Sequence, residues 1–207
     1  MTAQNNIENS PFQDLLIVDI GGTVATGYAG KLFADYGARV VNVESHQGFT
    51  TRQVKPFLNN GNSAIHAYLH ANKESVSCDA LLTGHPAIAA ADLVLLDIAT
   101  LPSSLSVDDF DTNVCAISWY GLNGPYASFK GSDASIYALT GLMQGVGESQ
   151  GPPIIPTGYQ PQIVGGLSAF NGAAGYLLGQ HLKGDDKPTA FCLDASIWEA
   201  NMCLTDI

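Results

Sequence analysis

The fold is decided by residues 15–44, which read LLIVDIGGTVATGYAGKLFADYGARVVNVE. The apolar run 15–20 stops at a pair of glycines, which is typical of a buried strand of a parallel sheet. Residues 28–36 then carry apolar side chains at helical spacing until Gly37 ends the helix. Residues 39–44, RVVNVE, are predicted to be the next strand. The stretch therefore predicts a β–α–β unit with neighbouring parallel strands and a right-handed crossover.

The rest of the chain continues this alternation of strands and helices. Further strands are predicted at residues 75–78, 93–97, 114–119 and 191–194. Further helices are predicted at residues 64–69, 87–91, 167–182 and 196–204. Residues 23–26 are expected to form a turn, residues 45–62 a long surface loop, and residues 1–13 a flexible polar tail. An α/β fold with a doubly wound, mainly parallel sheet is expected over residues 14–207.

Composition narrows the classes of partner. Of 207 residues 46% are hydrophobic and only 13% are charged, about half the usual share of roughly a quarter, which excludes a disordered chain. Eight Lys and Arg against 19 Asp and Glu give a formal net charge of −11, which would repel the phosphate backbone of a nucleic acid. An anionic small molecule remains a candidate ligand, because helix N-termini bind anions through backbone N–H groups.

Membrane spans, secretion and metals are not expected. No apolar run reaches the roughly 18 residues of a membrane helix, and the N-terminal residues lack a basic segment and an apolar core. The four cysteines are scattered, which is typical of reduced thiols in a cytoplasmic protein. His66 and His70 are spaced i,i+4, but they lack the acidic neighbour of a zinc-protease helix and are expected to be polar positions on a helix face.

Two motif matches offer alternative functions. Residues 19–23 read DIGGT, similar to the phosphate-binding turn of sugar kinases in the actin-like ATPase class. That turn joins two antiparallel strands, whereas a helix is predicted after this one. The same unit with Glu44 also imitates a dinucleotide-binding fingerprint, in which an acid binds the ribose, but the glycines do not spell G-x-G-x-x-G.

Five stretches in the right order resemble the family III CoA-transferases, the CaiB–BaiF group. The first is residues 18–30, like the family's LDLTRVLAGPYAG, and the second is residues 32–44, like LLADLGADVIKVE, with residues 51–52 matching the TR that follows. The others are residues 72–76, 117–126 and 191–200, like NKRSV, ISGFGQTGPY and VDVSLLEA. The resemblance implies a Rossmann-like large domain that binds an acyl-CoA, in a dimer of two interlocked chains. It also implies that 207 residues fall short of a full member, whose C-terminal half completes the fold.

The resemblance also implies which residues contact CoA and where the nucleophile belongs. The expected CoA contacts are in the segment after the first strand and at a turn further along, namely Thr23, Val24, Ala25, Asn72 and Lys73. In active members an aspartate attacks the thioester and carries the CoA as an aspartyl thioester to a second carboxylate. That position corresponds to Gln162, whose amide is not a carboxylate nucleophile.

Three further positions depart from the family pattern. Ser132 stands at the histidine position of the racemase branch, and Glu74 replaces the arginine of the NKR motif. The basic phosphate contact expected in the family's ENFRPG loop is absent around Ala99. The favoured hypothesis is a catalytically impaired chain, a piece of a longer protein or of an assembly, that forms a homo- or heterodimer with another family III chain. Metal is not expected.

The alternatives differ in their chemistry. The first is an active acyl-CoA enzyme, a transferase or racemase-like protein, that uses another carboxylate, Asp133 or Glu148. The second is a binding or regulatory module without acyl-CoA chemistry. The sugar-kinase-like and dinucleotide-binding interpretations come after these.

Overall fold

The structure is a computed structural model that describes residues 10–78, 84–148, 150–183 and 189–204. Within these ranges six strands form one sheet: β1 (Leu16–Asp19), β2 (Arg39–Glu44), β3 (Glu74–Ser77), β4 (Leu93–Asp97), β5 (Val114–Ser118) and β6 (Cys192–Ser196). Their order is β3-β2-β1-β4-β5-β6, and every neighbouring pair is parallel. The predicted parallel α/β sheet is confirmed, and the antiparallel hairpin of the sugar-kinase interpretation is wrong.

In the described part of the chain six α-helices connect or follow the strands: α1 (Val24–Asp35), α2 (Ala64–Leu69), α3 (Pro86–Ala89), α4 (Asp133–Thr140), α5 (Gln160–Lys183) and α6 (Ile197–Met202). One face of the sheet packs against α1, α5 and α6, with Phe33, Ile117 and Ala169 among the buried side chains. The other face packs against α3 and the segment that includes Phe110. The sheet is therefore covered on both faces, which is why its central strands are almost entirely apolar.

The first helix begins earlier than the sequence predicts. Thr23 is its N-cap, and the side chains of Thr23 and Thr26 form a reciprocal capping box. The expected turn at residues 23–26 is therefore wrong, because its side chains cap and begin the helix. The amino end of α1 thus follows directly on the glycine pair after β1.

The helix α5 also begins seven residues before the predicted start at residue 167. Pro161 is tolerated in its first turn, and Gly165 and Gly166 continue the helix despite their low helix propensity. A β-carbon at Gly166 would overlap the carbonyl oxygen of Ala25 in α1, and one at Gly165 would lie 2.7 Å from Ile197. The glycines therefore allow α5 to approach α1 and α6 closely.

Residues 10–13, at the end of the predicted tail, belong to the packed part of the chain. Phe12 contacts Phe33 and Phe170, with ring centroids 5.4 and 6.1 Å away. Residues 1–9 lie outside the described residues. The predicted surface loop at 45–62 contains a 3-10 helix, Thr50–Gln53, and buries Phe49 and Thr51. None of the described helices is long and apolar enough to cross a bilayer.

Candidate functional site

The chain reverses its direction of winding between β1 and β4. From β1 it passes through α1 to β2 on one side, and the later strands β4, β5 and β6 lie on the other side. In open parallel sheets ligands bind at the carboxyl ends of the strands beside such a switch point. Asp19 ends β1 and Asp97 ends β4, and both carboxyl groups are buried. The carboxyl edge of the sheet at the ends of β1 and β4 is therefore the candidate site.

Neighbouring loops close over the glycine pair at this edge. Phe49 lies so close to Gly22 that a β-carbon there would overlap the phenyl ring, and Gly22 has a φ of +64°. The hydroxyl of Thr50 donates to the carbonyl of Gly22 at 3.0 Å, and that of Thr100 donates to Gly21 at 2.8 Å. The turn is thus covered from both sides by the chain itself.

Three of the predicted CoA contacts lie in the first turn of α1. Thr23 is half-buried, whereas Val24 and Ala25 are only 5% and 0% exposed. The α5 helix covers Ala25, as the contact at Gly166 shows. Thr23 is therefore the member of this trio whose side chain can meet a ligand, and the other two position the helix.

The remaining predicted CoA contacts, Asn72 and Lys73, follow α2. Asn72 is exposed with a φ of +62°. The side chain of Lys73 is fully buried: its ammonium group donates to the carbonyl of Gly27 at 2.8 Å and lies 3.8 Å from Asp19. Burial lowers the pKa of Lys73 to about 8 despite the attraction of Asp19. In this conformation Lys73 ties α1 to β1, and its charge is not available to a phosphate in solvent.

A polar network extends from Lys73 that the sequence interpretation missed. The ring of His70 contacts the Asn42 amide at 3.0 Å, and Thr51 lies between His70 and His66. Burial, with the charge of Lys73, lowers the pKa of His70 to about 2, so the ring is neutral. As predicted, both histidines are polar positions on one face of α2, with ring centroids 4.3 Å apart. They are half-buried, because this face contacts Thr51 and Asn42.

Glu44 at the end of β2 is occupied within the protein. It forms a two-point ion pair with Arg52, at 2.6 and 2.7 Å, and also accepts from Ser75 and from the N–H of Phe49. Burial alone would raise the pKa of Glu44, but these hydrogen bonds outweigh it and hold the pKa at about 2. The carboxylate is 4% exposed, and its oxygens are engaged by neighbouring side chains and backbone. This contradicts its interpretation as a ribose-binding acid.

Gln162 and Asp133, the two candidate catalytic positions, are brought together by the fold. Asp133 is the first residue of α4, whose N-cap is Ser132, and Gln162 lies in the first turn of α5. The Gln162 side-chain amide donates to Asp133 at 2.8 Å, and its backbone N–H donates to the other carboxylate oxygen at 3.4 Å. Burial raises the pKa of Asp133, and the two hydrogen bonds partly offset that effect. Both of the Asp133 oxygens are thereby engaged.

Three of the remaining predicted positions lie on the surface, namely Glu74, Ala99 and Glu148. Glu74 forms a two-point ion pair with Arg39 at 2.9 Å on the exposed edge of the sheet. Ala99 is exposed in the turn after β4, where its N–H donates to Asp97. Glu148 is an exposed residue on the segment before α5. Among the residues described, no three His, Cys, Asp or Glu side chains are grouped to hold a metal ion.

The geometry and order of these elements agree with one protein family. The model described as CoA-transferase family III matches residues 12–89 and 114–200. The chain belongs to CoA-transferase family III. Members of this family use CoA thioesters and carboxylic acids as substrates, and membership does not depend on the residue at position 162.

Individual relatives are distant and longer. The chain is 28% identical over 164 residues to the succinate–glutarate CoA-transferase of Agrobacterium fabrum, covering 70% of this chain and 41% of that protein. It is 30% identical over 152 residues to subunit BbsE of the succinyl-CoA:(R)-benzylsuccinate CoA-transferase of Thauera aromatica, covering 64% and 36%. The structure of a CAIB/BAIF family protein from Brucella suis matches with a TM-score of 0.81 at 25% identity, covering 96% of this chain and 56% of that one. The chain thus spans less than half of these two curated relatives.

Proposed function

We propose that this chain supplies the CoA-binding part of a family III CoA-transferase and cannot by itself carry the enzyme-bound CoA thioester. The observation that supports this most directly is the hydrogen bond from the Gln162 amide to Asp133. Gln162 occupies the position that the family resemblance gives to the nucleophilic aspartate. An amide nitrogen that donates to a carboxylate has its lone pair delocalised and does not attack a thioester.

The step that a glutamine at position 162 prevents is the covalent transfer of CoA to the enzyme. A carboxylate at this position would attack the thioester carbonyl, form a mixed anhydride and release the CoA thiolate. The thiolate would then attack the enzyme carbonyl of the anhydride, giving an enzyme thioester and a free carboxylic acid. With Gln162 in place the first bond does not form. The aspartate must then come from a different family III chain in a heterodimer, because a second copy of this chain also carries Gln162, or the chain only binds the thioester.

CoA binding is proposed at the amino end of α1, with Thr23 and Asn72 as the accessible contacts. Val24, Ala25 and Lys73 act by holding the first turn of α1 in place, since their side chains are buried. A helix N-terminus stabilises a negative charge by about 0.3–1 kcal/mol at an exposed site. Glu74 and Ala99 offer no positive charge at the positions where the family pattern has basic residues, so we expect modest affinity.

Calorimetry with free CoA tests the binding part of the proposal. Thr23→Glu adds a negative charge at the helix N-terminus and should weaken CoA binding, whereas the uncharged Thr23→Gln should retain it. Equal affinity in the two variants would show that CoA does not lie at this helix end.

Trapping tests the catalytic part. The purified protein, in the assembly it forms, is incubated with acyl-CoA and then with hydroxylamine, and residue 162 is examined by peptide mass spectrometry. We expect no adduct at Gln162 and at most weak transferase activity after Gln162→Asp. Full activity of the chain alone would contradict the proposal.

The second candidate function is an acyl-CoA enzyme that uses Asp133. It has one observation in its favour, namely that Asp133 lies beside the family's nucleophile position. Both of its oxygens already accept hydrogen bonds from Gln162, and this reduces their nucleophilicity. A hydroxylamine-sensitive adduct on Asp133, or on the exposed Glu148, would support this function instead.

A further inference from the structure

A group of aromatic side chains is linked to the helices that carry Asp133 and Gln162. We call it the aromatic cluster, and it consists of Tyr120, Tyr126, Phe129 and Trp198. The ring of Tyr126 is at its centre, with centroids 5.3 Å from Phe129, 5.5 Å from Trp198 and 6.3 Å from Tyr120. Such separations are those of favourable edge-to-face pairs.

Two connections join the aromatic cluster to the candidate site. The Tyr120 hydroxyl is 2.9 Å from the Ser135 hydroxyl, and Ser135 lies in the same first turn of α4 as Asp133. On the other side, Trp198 belongs to α6, whose Asn201 donates to the carbonyl of Pro161, the residue before Gln162. Hydrogen bonds therefore connect the cluster to the first turns of α4 and α5, which carry Asp133 and Gln162.

The aromatic cluster is open on its outer side. Tyr126 is 41% exposed and Phe129 is 58% exposed, although both are large apolar groups. The backbone beneath them is fixed, because Trp119 fills the space at Gly131 so completely that a β-carbon there would overlap its ring. The exposed rings are thus held in place on a packed loop that leads directly into α4.

Basic side chains are scarce on this half of the molecule. Between residues 114 and 182 the sequence contains one Lys or Arg, Lys130. Lys183 is at the far end of α5, about 30 Å from Gln162 at 1.5 Å per residue. Of the other basic residues, Arg39, Arg52 and Lys73 are each paired with an acid. Lys130 itself is exposed and directly follows Phe129 in the chain.

We propose that the aromatic cluster receives an uncharged acyl group with an apolar or aromatic body, and that this chain discriminates against acyl groups ending in a carboxylate. The inference rests on the proposed function, since it takes acyl-CoA binding at this site as given. It differs from what the name of the Agrobacterium relative, a succinate–glutarate enzyme, states for that protein. The four rings offer apolar contact and carry no charge of their own.

Affinities for three compounds test the inference: free CoA, benzoyl-CoA and succinyl-CoA. The only two tryptophans of the chain, Trp119 and Trp198, lie in or next to the cluster, so their fluorescence reports its occupation. We expect benzoyl-CoA to bind at least about tenfold more tightly than succinyl-CoA and to change the emission more than free CoA does. Phe129→Ser should weaken benzoyl-CoA by about three- to tenfold and leave free CoA unchanged.

The matched control is Leu139→Ser, since Leu139 is an apolar residue of similar exposure, 55%, further along α4. It should leave all three affinities unchanged. Tighter binding of succinyl-CoA that is lost in Lys130→Gln would overturn the inference and leave the proposed function intact. A change of oligomeric state in Phe129→Ser, with unchanged acyl-CoA affinities, would mean that the cluster contacts another chain and would also overturn it. Absence of binding to all three compounds would refute the proposed function and this inference together.

Discussion

The side-chain amide of Gln162 donates a 2.8 Å hydrogen bond to Asp133, a residue 29 positions earlier in the chain. It joins the first turns of α4 and α5 at the carboxyl edge of the sheet. An aspartate at position 162 would face a second carboxylate at the same place. The pair therefore stabilises the present arrangement and opposes the chemistry that the family resemblance gives to this position.

Gln162→Asp should consequently destabilise the protein at neutral pH. The hydrogen bond is lost and two carboxylates become neighbours, at a cost of about 1–3 kcal/mol in the free energy of unfolding. Repulsion raises the folded-state pKa of the pair above its unfolded value, so the deficit should shrink as the pH falls from 7 towards 4. Urea denaturation at several pH values measures both effects. Gln160→Asp, on the exposed first residue of α5, should show neither effect.

Glu44→Gln should reveal the contribution of the Glu44–Arg52 ion pair. Hydrogen bonds to a charged group contribute about 1.5–3 kcal/mol, and we expect a loss of that order in the free energy of unfolding. Because the folded-state pKa of Glu44 is lowered to about 2, its contribution should be present above pH 4.5 and lost as the pH falls from 4.5 towards 2.

The control for this ion pair is Glu74→Gln. Glu74 makes a two-point pair of similar geometry with Arg39, but both side chains are more than half exposed. Exposed pairs contribute little to stability, so chemical denaturation should give a value close to that of the unchanged protein. Equal losses in the two variants would contradict the role assigned to burial at Glu44.

Lys73→Met should leave the buried carboxyl group of Asp19 without its positive partner. Removing one member of a buried pair typically costs about 3–5 kcal/mol, and adding Asp19→Asn should recover part of that loss. A double-mutant cycle measured by denaturation gives the coupling between the two side chains. Lys31→Met, which breaks the partly exposed pair with Asp35, should cost far less.

Lys73 should also make the free energy of unfolding depend on pH above about pH 8. Its folded-state pKa of about 8 is below the ordinary value of 10.5. Between these values the unfolded chain binds a proton that the folded chain has released, so the contribution of Lys73 to stability should increase as the pH rises from about 8 to 10.5. Stability curves that rise equally in the unchanged protein and in Lys73→Met would contradict the burial of this side chain.

Gly166→Ala tests the contact between α1 and α5. The added methyl group would overlap the carbonyl of Ala25, and overpacking of this kind costs about 1–3 kcal/mol. Gly175→Ala in the same helix has open space around it and should stabilise by up to about 1 kcal/mol through helix propensity. Thermal unfolding of the two variants measures whether Gly166→Ala lowers the stability and Gly175→Ala raises it. If α1 holds the CoA site, Gly166→Ala should also weaken CoA binding, and Gly175→Ala should not.

The sequence by itself determined the sheet and the family. The apolar runs of β1, β2, β4 and β5 are buried on both sides, so their signal is strong, and the motifs that carry the family resemblance are short and contiguous. The assignment of the family's nucleophile position to Gln162, made by counting from neighbouring residues, stays a prediction. The predictions that failed, such as the turn at residues 23–26 and the late start of α5, depend on threonine caps and glycine contacts that a local pattern does not show.

Only the tertiary structure decided what the polar side chains do. Lys73 contacts Gly27 across 46 residues, and Gln162 contacts Asp133 across 29. The family resemblance makes Lys73 a CoA contact and the dinucleotide interpretation makes Glu44 a ribose ligand, but both side chains are occupied inside the protein. The physical reason is that burial and partner geometry set the charge and availability of a side chain. Both are fixed by elements that meet only when the sheet is assembled.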